Sequence, residues 1–424
     1  MGLGLLGRGL NDAIFLAKCG AILTITDLKD EKALERSLEQ LKKFKGITYT
    51  LGKHDTKDFE DKDFILKAAG VPLESVFIKH AINKNIPVEM DASLFAKLAE
   101  KVATIGVTGT RGKTTTTHLI YEFLKASLKG KTKKVYLGGN IQGLATLPLL
   151  SKVKKGDYVV LELDSWQLQG FGDSKISPHI GVFTNFLDDH LNYYQGNKDK
   201  YFEDKSNIFK FQSDKDFLVT GSKVPDIKTK SKKIKAFSND IPADYKFNLV
   251  GEHNRENIAA ALKVVEILKI PKKVIKDVLK NFKAVSGRLE KIRDYKGISI
   301  WNDTTATTPD ATLEALKSFK NGVVLIMGGS DKGLDISRLI SEIPKYTKKI
   351  VVLPGTGSEK LLALSSKLQA KIVEVETLEE AVKIGLENCE SGDVLLFSPA
   401  FASFGMFKNE YDRGEQFVKE VQNL

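Results

Sequence analysis

Short apolar runs alternate with longer stretches whose apolar residues recur every three to four positions. The first kind reads as buried strand and the second as amphipathic helix. Strands are expected at 21–26, 104–107, 134–137, 158–163, 180–184, 298–301, 323–327, 350–353 and 394–398. Helices are expected at 92–101, 114–127, 254–268, 271–282, 308–318, 378–389 and 414–421. Such alternation predicts an α/β protein built on parallel sheets.

Two breaks interrupt the pattern, near 91–93 and near 285–287. With 424 residues, and about 150 per domain, three domains are expected. The breaks place them at 1–92, 93–284 and 285–424. The Lys-rich stretch 214–245 reads as an edge element or loop of the middle domain.

The net charge of +11 adds little to this picture, because only eight of the 65 basic residues are Arg and the Lys pairs are scattered. A nucleic-acid reader would cluster its charge and use more Arg, so no nucleic-acid partner is expected. Cys19 and Cys389 have no metal-type spacing and suit a reducing, cytoplasmic compartment. No apolar run approaches the roughly 18 residues of a membrane span.

The strongest chemical signal lies at 105–117. A β-rich run leads into Gly109, Thr110, Arg111, Gly112, Lys113, Thr114 and Thr115, and a helical pattern follows. Strand, glycine loop and helix in that order are what a phosphate loop requires. The glycines let backbone N–H groups turn toward phosphate oxygens, and the helix N-terminus adds partial positive charge. Lys113 can reach β- and γ-phosphates, and the Thr114 hydroxyl can ligate Mg²⁺. Val107 stands where the long form of the motif has its first Gly, so a tighter variant is read here.

Two later strands end in polar residues. In 158–168, Glu162 interrupts an apolar run. Either it delivers an acid to a nucleotide-bound Mg²⁺, or it simply alternates outward to water. In 181–191, Asn185, Asp188, Asp189 and His190 cluster at a strand end, where open α/β sheets place ligands. A functional His190 is expected. Lys205 falls in a helical pattern over 201–211, and as one of 57 Lys it gains no role from the residues alone. At the start, Gly2, Gly4 and Gly7 spell G-x-G-x-x-G, a weak signal that Asp27 strengthens by ending the next strand.

Taken together, Gly-Thr-Arg-Gly-Lys-Thr-Thr-Thr-Thr from Gly109, Leu-Glu-Leu-Asp-Ser-Trp-Gln-Leu from Leu161, Thr-Asn-Phe-Leu-Asp-Asp-His from Thr184 and Gly-Glu-His-Asn-Arg-Glu-Asn from Gly251 resemble the Mur ligases in order and spacing. The stretch from Ser398 to Gly414 resembles the C-terminal signature of the D-glutamate-adding branch. The resemblance implies an N-terminal Rossmann-like domain for a UDP-substrate, a central P-loop ATPase-type domain and a C-terminal Rossmann-like domain for an amino acid. The implied substrates are ATP, UDP-N-acetylmuramoyl-L-alanine and D-glutamate, joined through an acyl phosphate in peptidoglycan precursor synthesis. A monomer is expected.

Residue by residue, the resemblance implies that Lys113, His190 and Lys205 are catalytic. Thr114, Glu162, His190 and Lys205 would serve two Mg²⁺ sites, Lys205 as a carbamate, since an ammonium would repel the metal. Asn254 and Asn257 would hold the adenine, with a helix cap as the plainer reading. Arg288 would meet the γ-phosphate and Asp303 the ribose. Leu5, Leu6, Asp27, Gly70 and Asn140 match UDP-contacting positions, and Ser165 and Gln167 substrate positions. Thr307, Lys332, Ser403 and Phe404 match the amino-acid site.

The chain departs from the pattern at several points. Met1 directly precedes the glycine motif, so the first sheet is expected to lack a central strand. Thr305 stands where a Lys is usual, Asp164 where Ser is common, Gln142 where Gly is common, and Glu410 where an aromatic is common. Another Mur-type amino-acid ligase, or an inactive nucleotide-binding homologue, therefore stays open. A folylpolyglutamate synthetase would generally lack the first domain, and a nicotinamide-dependent oxidoreductase would leave the phosphate loop without a purpose.

Overall fold

Four short strands belong to the first 90 residues: β1 (Leu23–Asp27), β2 (Ile47–Leu51), β3 (Ile65–Leu66) and β4 (Val88–Glu89). They form two parallel pairs, β1 with β2 and β3 with β4. The expected gap between them is bridged by backbone. The Gly2 N–H donates to Thr26 O at 2.9 Å, while the Ala68 N–H donates to Met1 O at 3.0 Å. Gly2 thus bonds to β1 on one side and Met1 to the chain just after β3 on the other, with Gly2 at a φ of 81°. Helices Arg8–Lys18 and Glu31–Leu41 cover β1, and Leu34 and Leu41, two turns apart, bury the same face against Leu3, Leu10 and Ile25. Asp30 caps the second helix by accepting from the Ala33 N–H.

The computed structural model describes residues 1–5, 7–187, 193–320, 322–364, 368 and 371–424. These divide into two compact units, Met1–Ala243 with Glu256–Val278, and Asp244–Arg255 with Leu279–Leu424.

Most of the first unit is organised by a parallel sheet of β5 (Ala103–Thr108), β6 (Val135–Gly139), β7 (Tyr158–Glu162), β8 (Ile180–Phe183), β9 (Phe217–Thr220) and β10 (Lys232–Lys235). Its order is β10-β9-β8-β5-β7-β6. The chain moves from β7 on one side of β5 to β8 on the other, which opens a crevice at the β5 C-terminal end. Helix Lys113–Ser127 buries Leu119, Ile120, Phe123 and Leu124. On the sheet, Phe95, Leu161, Phe171, Phe183, Ile208 and Leu218 form one continuous cluster. Each such buried side chain contributes roughly 1.5–3 kcal/mol, so the sheet is a stiff base for its loops. The stretch 214–245 supplies β9 as well as the edge strand β10, which presents Lys232, Lys233 and Lys235 to solvent.

The second unit carries β11 (Glu290–Tyr295), β12 (Ile298–Asn302), β13 (Val323–Gly328), β14 (Thr347–Leu353), β15 (Lys371–Glu374) and β16 (Val394–Phe397). Their order is β11-β12-β16-β13-β14-β15, parallel except for the β11–β12 hairpin. Lys296 and Gly297, both at positive φ, make that hairpin's tight turn. Alternate residues of β13 enter opposite cores. Leu325 and Met327 pack with Trp301, while Val324 and Ile326 pack with Phe397 and Phe417.

Candidate active site

The loop after β5 is shaped by its glycines. Gly109 and Gly112 have φ of 144° and 81°. A Cβ at Gly109 would strike the Thr184 hydroxyl, and one at Gly112 would strike the Asn257 side-chain amide. The loop is therefore pressed between the end of β8 and helix Glu252–Ile267. Asn185 anchors it, accepting from the Thr110 N–H at its backbone oxygen (3.0 Å) and from the Arg111 N–H at its side chain (2.8 Å). Lys113 opens helix Lys113–Ser127, and its ammonium folds back to donate to Gly109 O and Thr110 O at 3.1 and 3.2 Å. A cation held by two loop carbonyls at a helix N-terminus, behind an inward-turned backbone, is a phosphate site. Thr114 is half-buried in the first helical turn and Thr115 is buried behind it.

Glu162 ends β7 directly beside Val107 of β5. It is 3% exposed, so the water-facing reading fails, and among the described residues its Oε2 has no hydrogen-bond partner. A buried carboxylate oxygen left unsatisfied is costly unless something binds it. Lys205 is 1% exposed in helix Lys198–Ser206. Its Nζ donates to Gly109 O at 3.0 Å and lies 4.8 Å from the centre of the Tyr201 ring. The structure thus brings Lys113 and Lys205 onto one carbonyl, a meeting that spacing alone could not reveal. Asp204, the neighbour of Lys205, accepts from Gln169 and Tyr194 at 2.8 Å and is pushed upward in pKa chiefly by burial. Asp188, Asp189 and His190 lie outside the described residues, as does Leu6. Among the described residues no three His, Cys, Asp or Glu side chains gather as a ready-made metal cage. The phosphate loop, the unsatisfied Glu162 oxygen and the Thr114 hydroxyl nevertheless suit a hard divalent ion that shares its shell with phosphate oxygens.

Asn257 is buried against Gly112, whereas the Asn254 side chain donates to Val250 O at 2.8 Å. Asn254 therefore ties down the turn that starts its helix.

In the first 90 residues, Asp27 is buried. It accepts from the Gly4 N–H at 2.9 Å and from the Lys29 N–H at 2.9 Å. Its carboxylate thereby shapes the glycine loop. Leu5 is exposed and Gly70 sits in an open turn. Asn140 accepts from Arg8 Nη2 at 2.9 Å, which joins helix Arg8–Lys18 to the end of β6. Ser165 and Gln167 are buried at the start of helix Ser165–Asp173, where Asp164 and Gln167 form a capping box. Ser and Asp both cap helices, which accounts for the Asp164 departure.

Three buried charges here escaped the sequence reading. Lys67 donates to Val71 O at 2.8 Å, and burial lowers its pKa to about 8 against the pull of Asp173, Asp164 and Asp204. Asp12 and Asp91 are buried close together beside Arg8. Burial first, and Asp91 second, push Asp12 up to about 9, and burial also raises Asp91. Nothing in their local sequence distinguishes these residues from surface charges.

In the second unit, Asp303 follows β12. It accepts from the Leu289 N–H at 3.1 Å and from the Ser398 hydroxyl at 2.8 Å, which brings it next to the half-buried Arg288. Lys332 donates to the Thr307 hydroxyl at 2.9 Å. Ser403 is buried and Phe404 is exposed, and Phe404 O accepts from the Ser330 hydroxyl. Four loops at the C-terminal ends of β12, β13 and β16 and before β11 thus meet. Thr305 closes onto Gly287 O at 2.9 Å, a structural use for the residue that replaces the usual Lys. Glu410 occupies the first turn of helix Glu410–Gln422, where an acid is favoured by the helix dipole.

Comparison with known proteins bears on the family. Residues 107–240 match the Mur ligase middle domain, and residues 287–401 match the Mur ligase, glutamate ligase domain. The UDP-N-acetylmuramoylalanine–D-glutamate ligase of Borreliella afzelii (strain PKo) is 36% identical over 454 residues, covering 100% of this chain and 97% of its own. The protein of the same name from Clostridioides difficile (strain 630) is 34% identical, covering 99% and 97%. The chain belongs to the Mur ligase family. Its fold is similar to that of the solved UDP-N-acetylmuramate–alanine ligase of Thermotoga maritima, with a TM-score of 0.61 at 22% identity over 100% of this chain and 98% of the other. As a Mur ligase it is an ATP-dependent α/β enzyme of the three-domain fold. No described helix is long and apolar enough to cross a membrane.

Proposed function

We propose that this Mur ligase joins the L-alanine carboxylate of UDP-N-acetylmuramoyl-L-alanine to the amine of D-glutamate in peptidoglycan precursor synthesis. The observation that carries this reading is full-length similarity to relatives named for that reaction, together with the intact Lys113 loop. ATP transfers its γ-phosphoryl group to the carboxylate, giving an acyl phosphate and ADP. The amine lone pair of D-glutamate then attacks the acyl carbon. The tetrahedral adduct collapses by breaking the C–O bond to phosphate, and the nitrogen loses a proton. A carboxylate is a poor electrophile, so the first transfer supplies the leaving group.

This chain's residues divide that work. The backbone of 109–112 and Lys113 orient the phosphates, and such transfer is mainly positioning and charge neutralisation. Thr114, Glu162, His190 and Lys205 as a carbamate are the proposed holders of Mg²⁺, which supplies neutralisation of phosphate charge when bound. Asn257, Arg288 and Asp303 serve the nucleotide. We assign 1–92 to the UDP-substrate, with Leu5, Leu6, Asp27, Gly70 and Asn140 in contact and Ser165 and Gln167 supporting from the middle domain. Thr307, Lys332, Ser403 and Phe404 receive the amino acid. Free Cys19 and Cys389 suit action in the cytoplasm.

A phosphate-release assay with ATP, Mg²⁺, UDP-N-acetylmuramoyl-L-alanine and a panel of amino acids tests the reading. Release with D-glutamate is expected. Release with a diamino acid alone would sink the D-glutamate assignment while leaving the family intact.

A further inference from the structure

Arg413 is the largest fully buried side chain among the described residues, at 1% exposure. It lies in helix Glu410–Gln422, and the hydrogen bonds of its guanidinium go to a hydroxyl and two backbone carbonyls rather than to a carboxylate. Its three nitrogens reach two loops. Nε donates to the Thr304 hydroxyl at 3.1 Å and Nη2 to Thr304 O at 2.8 Å. Nη1 donates to Phe401 O at 3.2 Å. The Thr304 hydroxyl itself donates a hydrogen bond to Glu410 O at 3.0 Å, which closes the network on the helix that carries Arg413.

Both loops matter to the amino-acid site. Thr304 is three residues from Thr307 and adjacent to Asp303. Phe401 is two residues from Ser403. The Ala400 N–H donates to Ala306 O at 2.9 Å, and Ala402 exchanges backbone bonds with Ser330, two residues from Lys332. The guanidinium thus sits beneath the place where three amino-acid loops meet. Packing alone does not call for a cation there, because buried charges are often replaced by apolar residues without loss of stability. A planar fork with fixed donor directions does something an apolar side chain cannot, since it dictates where two backbones lie relative to each other. Burial lowers the guanidinium pKa to about 10, which still leaves it charged at neutral pH.

We propose that Arg413 is a positioning residue for the amino-acid substrate, holding the loops of Thr304–Thr307 and Phe401–Phe404 in the relative placement that receives its two carboxylates. The proposal rests on the assignment of those loops to the amino acid. Arg413→Lys keeps the charge but loses the fork, and Arg413→Met keeps the length but loses both. In steady-state phosphate release, both variants should raise the KM for D-glutamate about tenfold or more. The KM for UDP-N-acetylmuramoyl-L-alanine should stay within about twofold, as expected for uniform loss of binding to one substrate. Thr304→Val, which removes the hydroxyl that accepts from Nε and donates to Glu410 O but keeps the backbone acceptor of Nη2, is a milder change, and should shift the D-glutamate KM in the same direction by less. Melting temperatures normalise each variant to its folded fraction. Equal changes in both KM values, or a loss of kcat alone, would overturn the proposal. If the wild-type enzyme uses a different amino acid, the function assigned above fails. The Arg413 proposal then stands or falls on the KM for that amino acid.

Discussion

The buried ammonium of Lys205 donates to the carbonyl of Gly109, the oxygen that also accepts from Lys113. A helix far along the chain is thereby fastened to the first glycine of the phosphate loop. Two cations on one carbonyl repel each other at close range. Addition of CO₂ to the neutral Lys205 amine, with loss of a proton, would exchange one of those positive charges for a negative one. Depleting bicarbonate should therefore lower turnover, and adding it back should restore turnover. Lys205→Ala should lose activity by at least about a hundredfold with its fold intact, the scale seen when a positioned charge is removed from a transfer site. Unchanged activity in both experiments would remove Lys205 from the mechanism.

Glu162→Gln separates stability from catalysis. The Glu162 oxygen without a partner destabilises the unliganded protein, and a buried unsatisfied group costs about 1–3 kcal/mol. The amide should therefore leave the melting temperature unchanged or raised when no nucleotide is added. Activity should demand more Mg²⁺, with half-saturation shifted by roughly tenfold or more, since even outer-shell substitutions reach that scale. A Mg²⁺ titration that overlays the wild type would contradict the metal-holding role.

Gly112→Ala tests the contact with Asn257. The added methyl group meets the Asn257 amide and a φ of 81°, so either the loop or the helix must move. A displacement of about an ångström costs on the order of a hundredfold in rate. Isothermal titration with ADP should show weakened binding, the melting temperature without nucleotide should fall, and Gly112→Ala combined with Asn257→Gly should recover part of that melting temperature. No recovery would mean that backbone strain alone causes the defect.

Asp12 offers a pH signature. Its folded pKa is raised to about 9 above an ordinary value of 3.8, by burial and by Asp91, against Arg8. The folded state therefore holds a proton that the unfolded chain releases. Stability from this group is fully present below about pH 4 and is lost as pH rises toward 9. Asp12→Asn mimics the protonated acid and cannot titrate. Melting curves taken from about pH 5 to about pH 8 should show the wild type losing several degrees relative to the variant. Parallel curves would show that the carboxyl is ionised throughout.

The sequence exposed the sheets better than the sites. Strands such as β13 and β16 are uninterrupted apolar runs buried throughout, and β5 and β7 are mostly apolar and buried, so the pattern located all four to within a residue or two. The strands β3 and β4, two residues each, carry too little pattern to detect. The stretch 198–206 is almost wholly polar, and its helix is held by the Asn197 cap and by Tyr201 and Lys205 buried beneath the phosphate loop. In the site, Lys113 was legible because loop and helix are contiguous. Arg413, Lys67 and Asp12 were not, because their partners come from distant segments and their own neighbours are unremarkable surface residues.

The lysines of β10 have a consequence for the protein in bulk solution. The outer row of β10 backbone groups could template a strand from another molecule, and sheets left open in this way tend to stack edge to edge. The Lys233 ammonium pairs with Asp226 at 2.6 Å, whereas Lys232 and Lys235 put two further exposed cations along that border, so a second copy approaching in register would meet like charge there. Chemical acetylation of these lysines would leave the catalytic sheet intact but turn its rim into a seed for precipitation.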